Sequence, residues 1–598
     1  MRRFPIPIFS LLITGSLLLG CSTASERTEL TIPTDAATVA QGKELFVNNC
    51  SACHNFQQQA IGPALGGVTT TTEPTWLYHF IRNAPEMIDG GDARAVKLYE
   101  EYQQYMPPFT MLDSSAVLAI MGYLHTQQEA APAVTAATLE NVLTDPIPTK
   151  IKHSGRALVL EAVAQAPATR PEPPVARINK MLMLPGEASQ PERMFVHDLQ
   201  GMLYEVKDGT FRPYLNLRDN RPDFIDKPGL GTGFGSFAFH PEFYDNGLLY
   251  TTHTEPGGTK PADYAFNDSI DVTLQWVLTE WKTDDPTSAT FKGGPRELLR
   301  MNMVTGIHGA QELTFNPTGS PRDASPRDAS SGDEDYGLLY LGIGDGGATL
   351  HGHPELCQDR SRPWGTILRI DPLGRNSANG QYGIPASNPF AQDGDEQTLG
   401  EIFAYGFRNP HRISWDTGGK RAMLISGIGE KNVEELNRGV AGANYGWPKR
   451  EGTFLIDERG DISLPYPLPP NDDALGFTYP VAQYDHDEGN AISGGFVYRG
   501  SAVPELQGTY VFGDIVTGRL FSVAADQLTL GKQAEIKELG LRVDGQPTTL
   551  REVTEINRVD LRFGLGFDNE LYLFTKSDGR VWRVTGVVQE EETTQAGI

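Results

Sequence analysis

The sequence predicts a multidomain chain, with a small all-α domain followed by an all-β six-bladed β-propeller. Three observations carry that expectation. Residues 35–128 contain helix-like segments around a compact loop region. Residues 129–149, EAAPAVTAATLENVLTDPIPT, are rich in Ala, Pro and Thr and read as a linker. From 150 to 590, short β-rich runs recur, each beside a Gly, Asp or Asn turn. With 598 residues the chain is too long for one small core.

The first twenty residues carry Arg2 and Arg3, then an apolar run too short to span a membrane, which reads as an export signal. Leu18-Leu19-Gly20-Cys21 resembles a bacterial lipobox. That resemblance implies removal of residues 1–20, lipid on Cys21, and a tether over 21–34. The expected location is the periplasmic side of a bacterial membrane, held by acyl chains.

In the α domain, DAATVAQGKELFVNNC reads as a helix capped by Asp35, with Gly42 and Phe46 on one face. Cys50-Ser-Ala-Cys53-His54 follows. Two cysteines separated by two residues, with histidine next, is the spacing that attaches a c-type haem: each thiol adds to a vinyl group and the imidazole reaches the iron. Gly62-Pro63 lies downstream, and Tyr105-Met106-Pro107-Pro108 precedes a final amphipathic helix. Together these resemble a class I cytochrome c. The resemblance implies His54 and Met106 as iron ligands. It also implies a Pro63 carbonyl that orients His54, and packing of Gly42 and Phe46 on the last helix near Tyr123. His79 and Met111 are alternative distal ligands. Cys21, Cys50 and Cys53 leave Cys357 alone among the four cysteines, read as a buried thiol.

The β domain offers six runs: RMFVHDLQGMLYEV, DNGLLYTTHT, YGLLYLGIGDGG, AMLISGIG, GTYVFGDIVTGRLFSV and NELYLFTKSDGRVWRV. Aromatic and β-branched residues alternate with turn residues, as in the inner strands of propeller blades; a large β-sandwich or β-helix is the competing arrangement. SPRDASPRDASS, residues 320–331, is a polar duplication expected in a surface loop. A formal net charge of −26 argues against nucleic acid as a partner.

Specific motifs then accumulate in order: LGTGFGSFAFHPEF, IHGAQELTFNP, GTILRIDP, EIFAYGFRNPHR, GIGEKNVEELNRGVAGANYGWPKREG and ISGGFVYRGSAVPELQGTYVFGD. In this order they resemble the glucose/sorbosone dehydrogenase family of six-bladed propellers, soluble sugar dehydrogenases that use pyrroloquinoline quinone (PQQ). The resemblance implies oxidation of a sugar or related alcohol, with His308 as the base and Arg408 stabilising negative charge. It implies PQQ contacts from Asn409 and Arg562. It further implies calcium held at Gly429 and Glu430, with Tyr445 tied to a further calcium. Three positions depart from the pattern: Gly231 stands where the family has a glutamine, Ile307 where an acid often precedes the base, and no lysine occurs near Val516 or Thr517. The expectation is a quinohaemoprotein that passes electrons from its propeller to its own haem, then to a periplasmic or respiratory acceptor. The rival reading keeps the haem but makes the propeller a binding or docking module.

Overall fold

In the computed structural model, the described residues are 30–50, 54, 56, 62–102, 106–127, 141–186, 190–227, 231–266, 270–318 and 335–590. The signal, Cys21, Cys53, most of the linker and the 320–331 duplication lie outside them. No helix among the described residues is long and apolar enough to cross a membrane.

Four of the α-domain's helices matter here: Ala36–Asn49, Pro74–Asp89, Ala93–Tyr102 and Ser114–Thr126. The first begins where Asp35 accepts a hydrogen bond from the Thr38 amide at 3.0 Å, and the last where Asp113 accepts from the Ala116 amide at 2.9 Å. Those caps satisfy amides that a helix start leaves without partners. First and last helix cross at Gly42, where an added Cβ would lie 1.9 Å from the Ala119 carbonyl oxygen. Only glycine permits that approach. Phe46 stacks on Phe56 at 4.9 Å and meets Tyr123 at 5.5 Å.

The β domain closes as six four-stranded blades. Their inner strands are Ile178–Leu184, Phe234–Phe239, Ala310–Phe315, Pro410–Trp415, Ile492–Val497 and Leu561–Leu565. Each touches the next in sequence order, and the sixth returns to the first. Closure comes from Lys152–Gln165, which pairs antiparallel with Arg580–Gln589 as the outer strand of blade 6. The same strand pairs parallel with Lys537–Val543 of blade 5, so the chain's two ends of the propeller are stitched together. Sheet edges that would be left open are thereby paired.

One expectation is corrected. The six β-rich runs supply second and third strands, not the innermost ones. Leu339–Ile343, for example, is buried along its whole length as the second strand of blade 3. Such strands are covered on both faces and read as continuous apolar runs. The innermost strands surround the central channel and carry Gln311, His411, Arg412 and Arg562, which dilutes their hydrophobic signal. Between blades the packing is aromatic: Trp276, Trp281 and Trp364 are all fully buried, and the Trp281 indole donates to Thr251 Oγ1 at 2.8 Å.

Candidate active site and haem site

His308 sits just before the inner strand of blade 3, at one mouth of the channel. Its backbone is left-handed, with φ +50°, a conformation that costs a non-glycine residue about 1 kcal/mol or more. Register explains its partner. Ala310 pairs with Ile343 across the two strands, so the residues beyond each strand end meet, and Asp345 faces His308. His308 Nδ1 lies 2.7 Å from Asp345 Oδ1. The carboxylate also accepts from the Gly347 amide at 2.8 Å, and the Asp345 amide donates to the Arg408 carbonyl at 2.7 Å. With Nδ1 held by a carboxylate, Nε2 is left as the proton acceptor. Burial, then the Arg408 charge, lowers the His308 pKa, with Asp345 opposing both; the imidazole is therefore neutral near pH 7. Burial works to raise the Asp345 carboxyl, but His308 and Arg408 outweigh it and hold the group ionised.

Arg408 is 8% exposed and lies on the Trp447 ring, 5.9 Å from the centroid. Its guanidinium donates to the Glu430 carboxylate and the Gly429 carbonyl. The calcium expectation concerns the backbone carbonyls of Gly429 and Glu430; Arg408 takes the first of these and the Glu430 side chain, and leaves the Glu430 carbonyl outside its bonds. The Tyr445 side chain is also engaged by the protein. Its hydroxyl donates to the Arg438 carbonyl at 2.5 Å and accepts from the Val440 amide at 3.1 Å, while its ring stacks on Phe407 at 4.3 Å. The side chain braces the residue before Arg408 and offers no oxygen to a metal.

A quinone bearing carboxylates needs donors that the protein leaves unmatched, and the mouth supplies them. Among the described residues, Arg408 Nε and both ring nitrogens of His411 are buried without a hydrogen-bond partner. Asn409 is buried at the same strand start. Arg562 donates to Asn179 Oδ1 at 3.2 Å; burial pushes its pKa down to about 9, so it stays charged at pH 7. Lys576, just after the second strand of blade 6, is 5% exposed; burial and then the Arg562 charge push its pKa well below the ordinary lysine value, so an anion bound there would favour its charged form. The donor set fits an anionic, acceptor-rich group.

Two departures seen in the sequence are filled through space. Gln311 Nε2 donates to the Gly231 carbonyl at 2.8 Å and would lie 2.0 Å from a Cβ on Gly231, so a carboxamide occupies the space where Gly231 has no side chain. The acid missing at Ile307 is supplied by Asp345. Sequence reasoning passed over Asp345, Gln311 and Lys576; the signal for Asp345 was the Gly-Asp-Gly-Gly turn directly after a strand. His240, read as packing, is 2% exposed and bonds to Asn246 and the Glu242 amide. Trp447, also read as packing, supports Arg408.

In the α domain, Cys50 is buried, and His54 Nδ1 lies 2.9 Å from the Pro63 carbonyl oxygen. That leaves Nε2 for iron. Met106 packs against the same apolar cluster as Cys50. Met111 is 73% exposed and His79 is exposed, so of the three distal candidates only Met106 lies against that cluster. This half of the chain fits a covalently held haem, whose chemistry is one-electron transfer. Cys357 is buried, and burial raises its pKa well above the ordinary thiol value, an inert arrangement.

Comparison with known proteins joins the two halves. Residues 39–128 match the family model Cytochrome c, and residues 325–554 match Glucose / Sorbosone dehydrogenase. The HIPL2 protein of Arabidopsis thaliana is 28% identical over 344 residues, covering 50% of this chain and 45% of its own length. The human Hedgehog-interacting protein is 26% identical over 373 residues, covering 60% and 44%. The aldose sugar dehydrogenase YliI of Escherichia coli is 25% identical over 345 residues, covering 56% and 78%. The chain thus spans less than half the length of the plant and human relatives. It joins a segment that matches the cytochrome c model to a propeller whose residues 325–554 match the glucose/sorbosone dehydrogenase model.

Proposed function

We propose that this chain is a quinohaemoprotein dehydrogenase that oxidises a hydroxyl of a sugar or related alcohol. Its haem then takes the electrons one at a time for a periplasmic or respiratory acceptor. The reading includes lipid on Cys21 and a tether to a bacterial membrane. The observation that carries it is the His308–Asp345 pair, buried beside Arg408 in a chain that also has a haem motif.

His308 Nε2 takes the substrate's hydroxyl proton, while Asp345 holds the ring and stabilises the imidazolium formed. Arg408 stays charged because Glu430, Asp345 and Glu451 outweigh its burial, and it stabilises negative charge that develops at the mouth. PQQ, when bound, accepts the hydride. Asn409, Arg562 and Lys576 would hold its carboxylates. Fusion to the haem domain replaces a diffusive encounter with a tethered one.

The second reading, a propeller that binds a partner without redox chemistry, draws on the likeness to the Hedgehog-interacting protein and on the Arg408–Glu430–Gly429 closure. Equilibrium dialysis of the purified protein against PQQ separates the two. Saturable binding, weakened in Arg562→Ala, supports the dehydrogenase; no binding supports the docking module.

A further inference from the structure

Glu430 to Val433, the loop after the second strand of blade 4, is fixed by one buried carboxylate. Glu451 Oε1 accepts from the amides of Glu430 at 2.7 Å, Lys431 at 3.1 Å, Asn432 at 2.9 Å and Val433 at 3.1 Å. Glu451 Oε2 accepts from Asn432 Nδ2 at 2.8 Å. Lys431 is therefore a flexible side chain on a rigid base. It is flanked by Glu430, which already pairs with Arg408. No ion pair of Lys431 occurs among the described residues. Its ammonium instead points across to the other domain, 5.6 Å from the centroid of the Tyr102 ring at the end of the helix Ala93–Tyr102.

A second crossing fixes the orientation. Lys43 Nζ, on the first helix of the α domain, lies 3.3 Å from Asp271 Oδ2 of blade 2. That pair is exposed and contributes little by itself, but its location is informative. The two crossings lie on blades 2 and 4, and the blade between them carries His308. The α domain thus lies over the mouth that holds the candidate active site.

We propose that Lys431 is a positioning residue for electron exit: it docks the haem domain over the propeller mouth through Tyr102. A half-buried ammonium on an aromatic face is worth more than an exposed one. The idea rests on the dehydrogenase reading for its purpose, yet its consequences need neither PQQ nor substrate.

The test uses the full-length, haem-loaded protein in wild-type, Lys431→Glu and Lys431→Arg forms. Small-angle X-ray scattering gives the maximum dimension. Lys431→Glu is expected to lengthen the particle. Lys431→Arg, which keeps charge and ring contact, retains the wild-type value. An unchanged dimension in Lys431→Glu overturns the proposal. If that variant does not fold, Tyr102→Ala tests the same contact and is expected to lengthen the particle; an unchanged particle again overturns it. A protein that binds no PQQ gives the same readouts, so failure here is distinct from failure of the dehydrogenase reading.

Discussion

Two histidines, one in each domain, are built alike and are proposed to do different work. His54 is held through Nδ1 by the Pro63 carbonyl at 2.9 Å, His308 through Nδ1 by the Asp345 carboxylate at 2.7 Å. In both, one ring nitrogen is fixed so that the other faces the chemistry. The difference lies in the partner's charge. A neutral carbonyl orients a ring that donates an electron pair to iron and never needs a proton. A carboxylate also stabilises the imidazolium, which a ring that takes and returns a proton requires. The same side chain becomes a metal ligand or a base according to the atom behind it.

That contrast can be broken in order of expected effect. His54→Ala should abolish the low-spin absorption spectrum of the haem, because no other described side chain near Cys50 replaces the proximal nitrogen. An unaltered spectrum means that His54 is not the ligand. His308→Ala should slow haem reduction by substrate about 10²- to 10⁴-fold while dithionite still reduces the haem at the wild-type rate. Asp345→Asn should cost less, about 10- to 100-fold, on the scale found when the group orienting a functional imidazole is removed; a rate equal to wild type shows that the pair is only structural.

The pH profile sharpens the comparison further. Burial and Arg408 lower the His308 pKa below its ordinary 6.5. The neutral, base-competent form therefore persists below pH 6.5 and is lost only as pH falls through the depressed value. The acid limb of kcat/KM should lie below pH 6.5. Asp345→Asn should move it lower still, since the carboxylate opposes the depression. A limb above pH 6.5 contradicts the electrostatics described. Trp281→Ala touches neither histidine: it should destabilise the propeller by about 3–5 kcal/mol, read by thermal unfolding, and leave the haem spectrum intact.

How legible each site was in the sequence follows from the same comparison. The haem site is local: Cys50, His54 and Pro63 lie within one short stretch, and Asp35 and Gly42 show their roles through helix spacing. The propeller site is assembled by register. Asp345 meets His308 only because Ala310 pairs with Ile343, and Gln311 fills the space at Gly231 only when blades 2 and 3 are side by side. Likewise the closing strand Lys152–Gln165 finds its partner at the far end of the domain, which no local pattern reveals. The number of blades was readable from recurring runs, but their rank within each blade was not. Strands buried on both faces look more β-like than those that face a polar channel. Family likeness also assigned Gly429, Glu430 and Tyr445 to calcium; the geometry gives the Gly429 carbonyl and the Glu430 carboxylate to Arg408, and the Tyr445 hydroxyl to the Arg438–Val440 backbone.

The central claim is that substrate is oxidised with His308 as the base and that the electrons leave through the haem of the same chain. Rapid mixing of the PQQ- and calcium-supplemented protein with a panel of aldoses and alcohols, followed at the haem absorption band, tests it most directly. The account predicts haem reduction by at least one substrate at a rate independent of protein concentration, and its loss in His308→Ala. No reduction by any substrate, or equal reduction in His308→Ala, contradicts it.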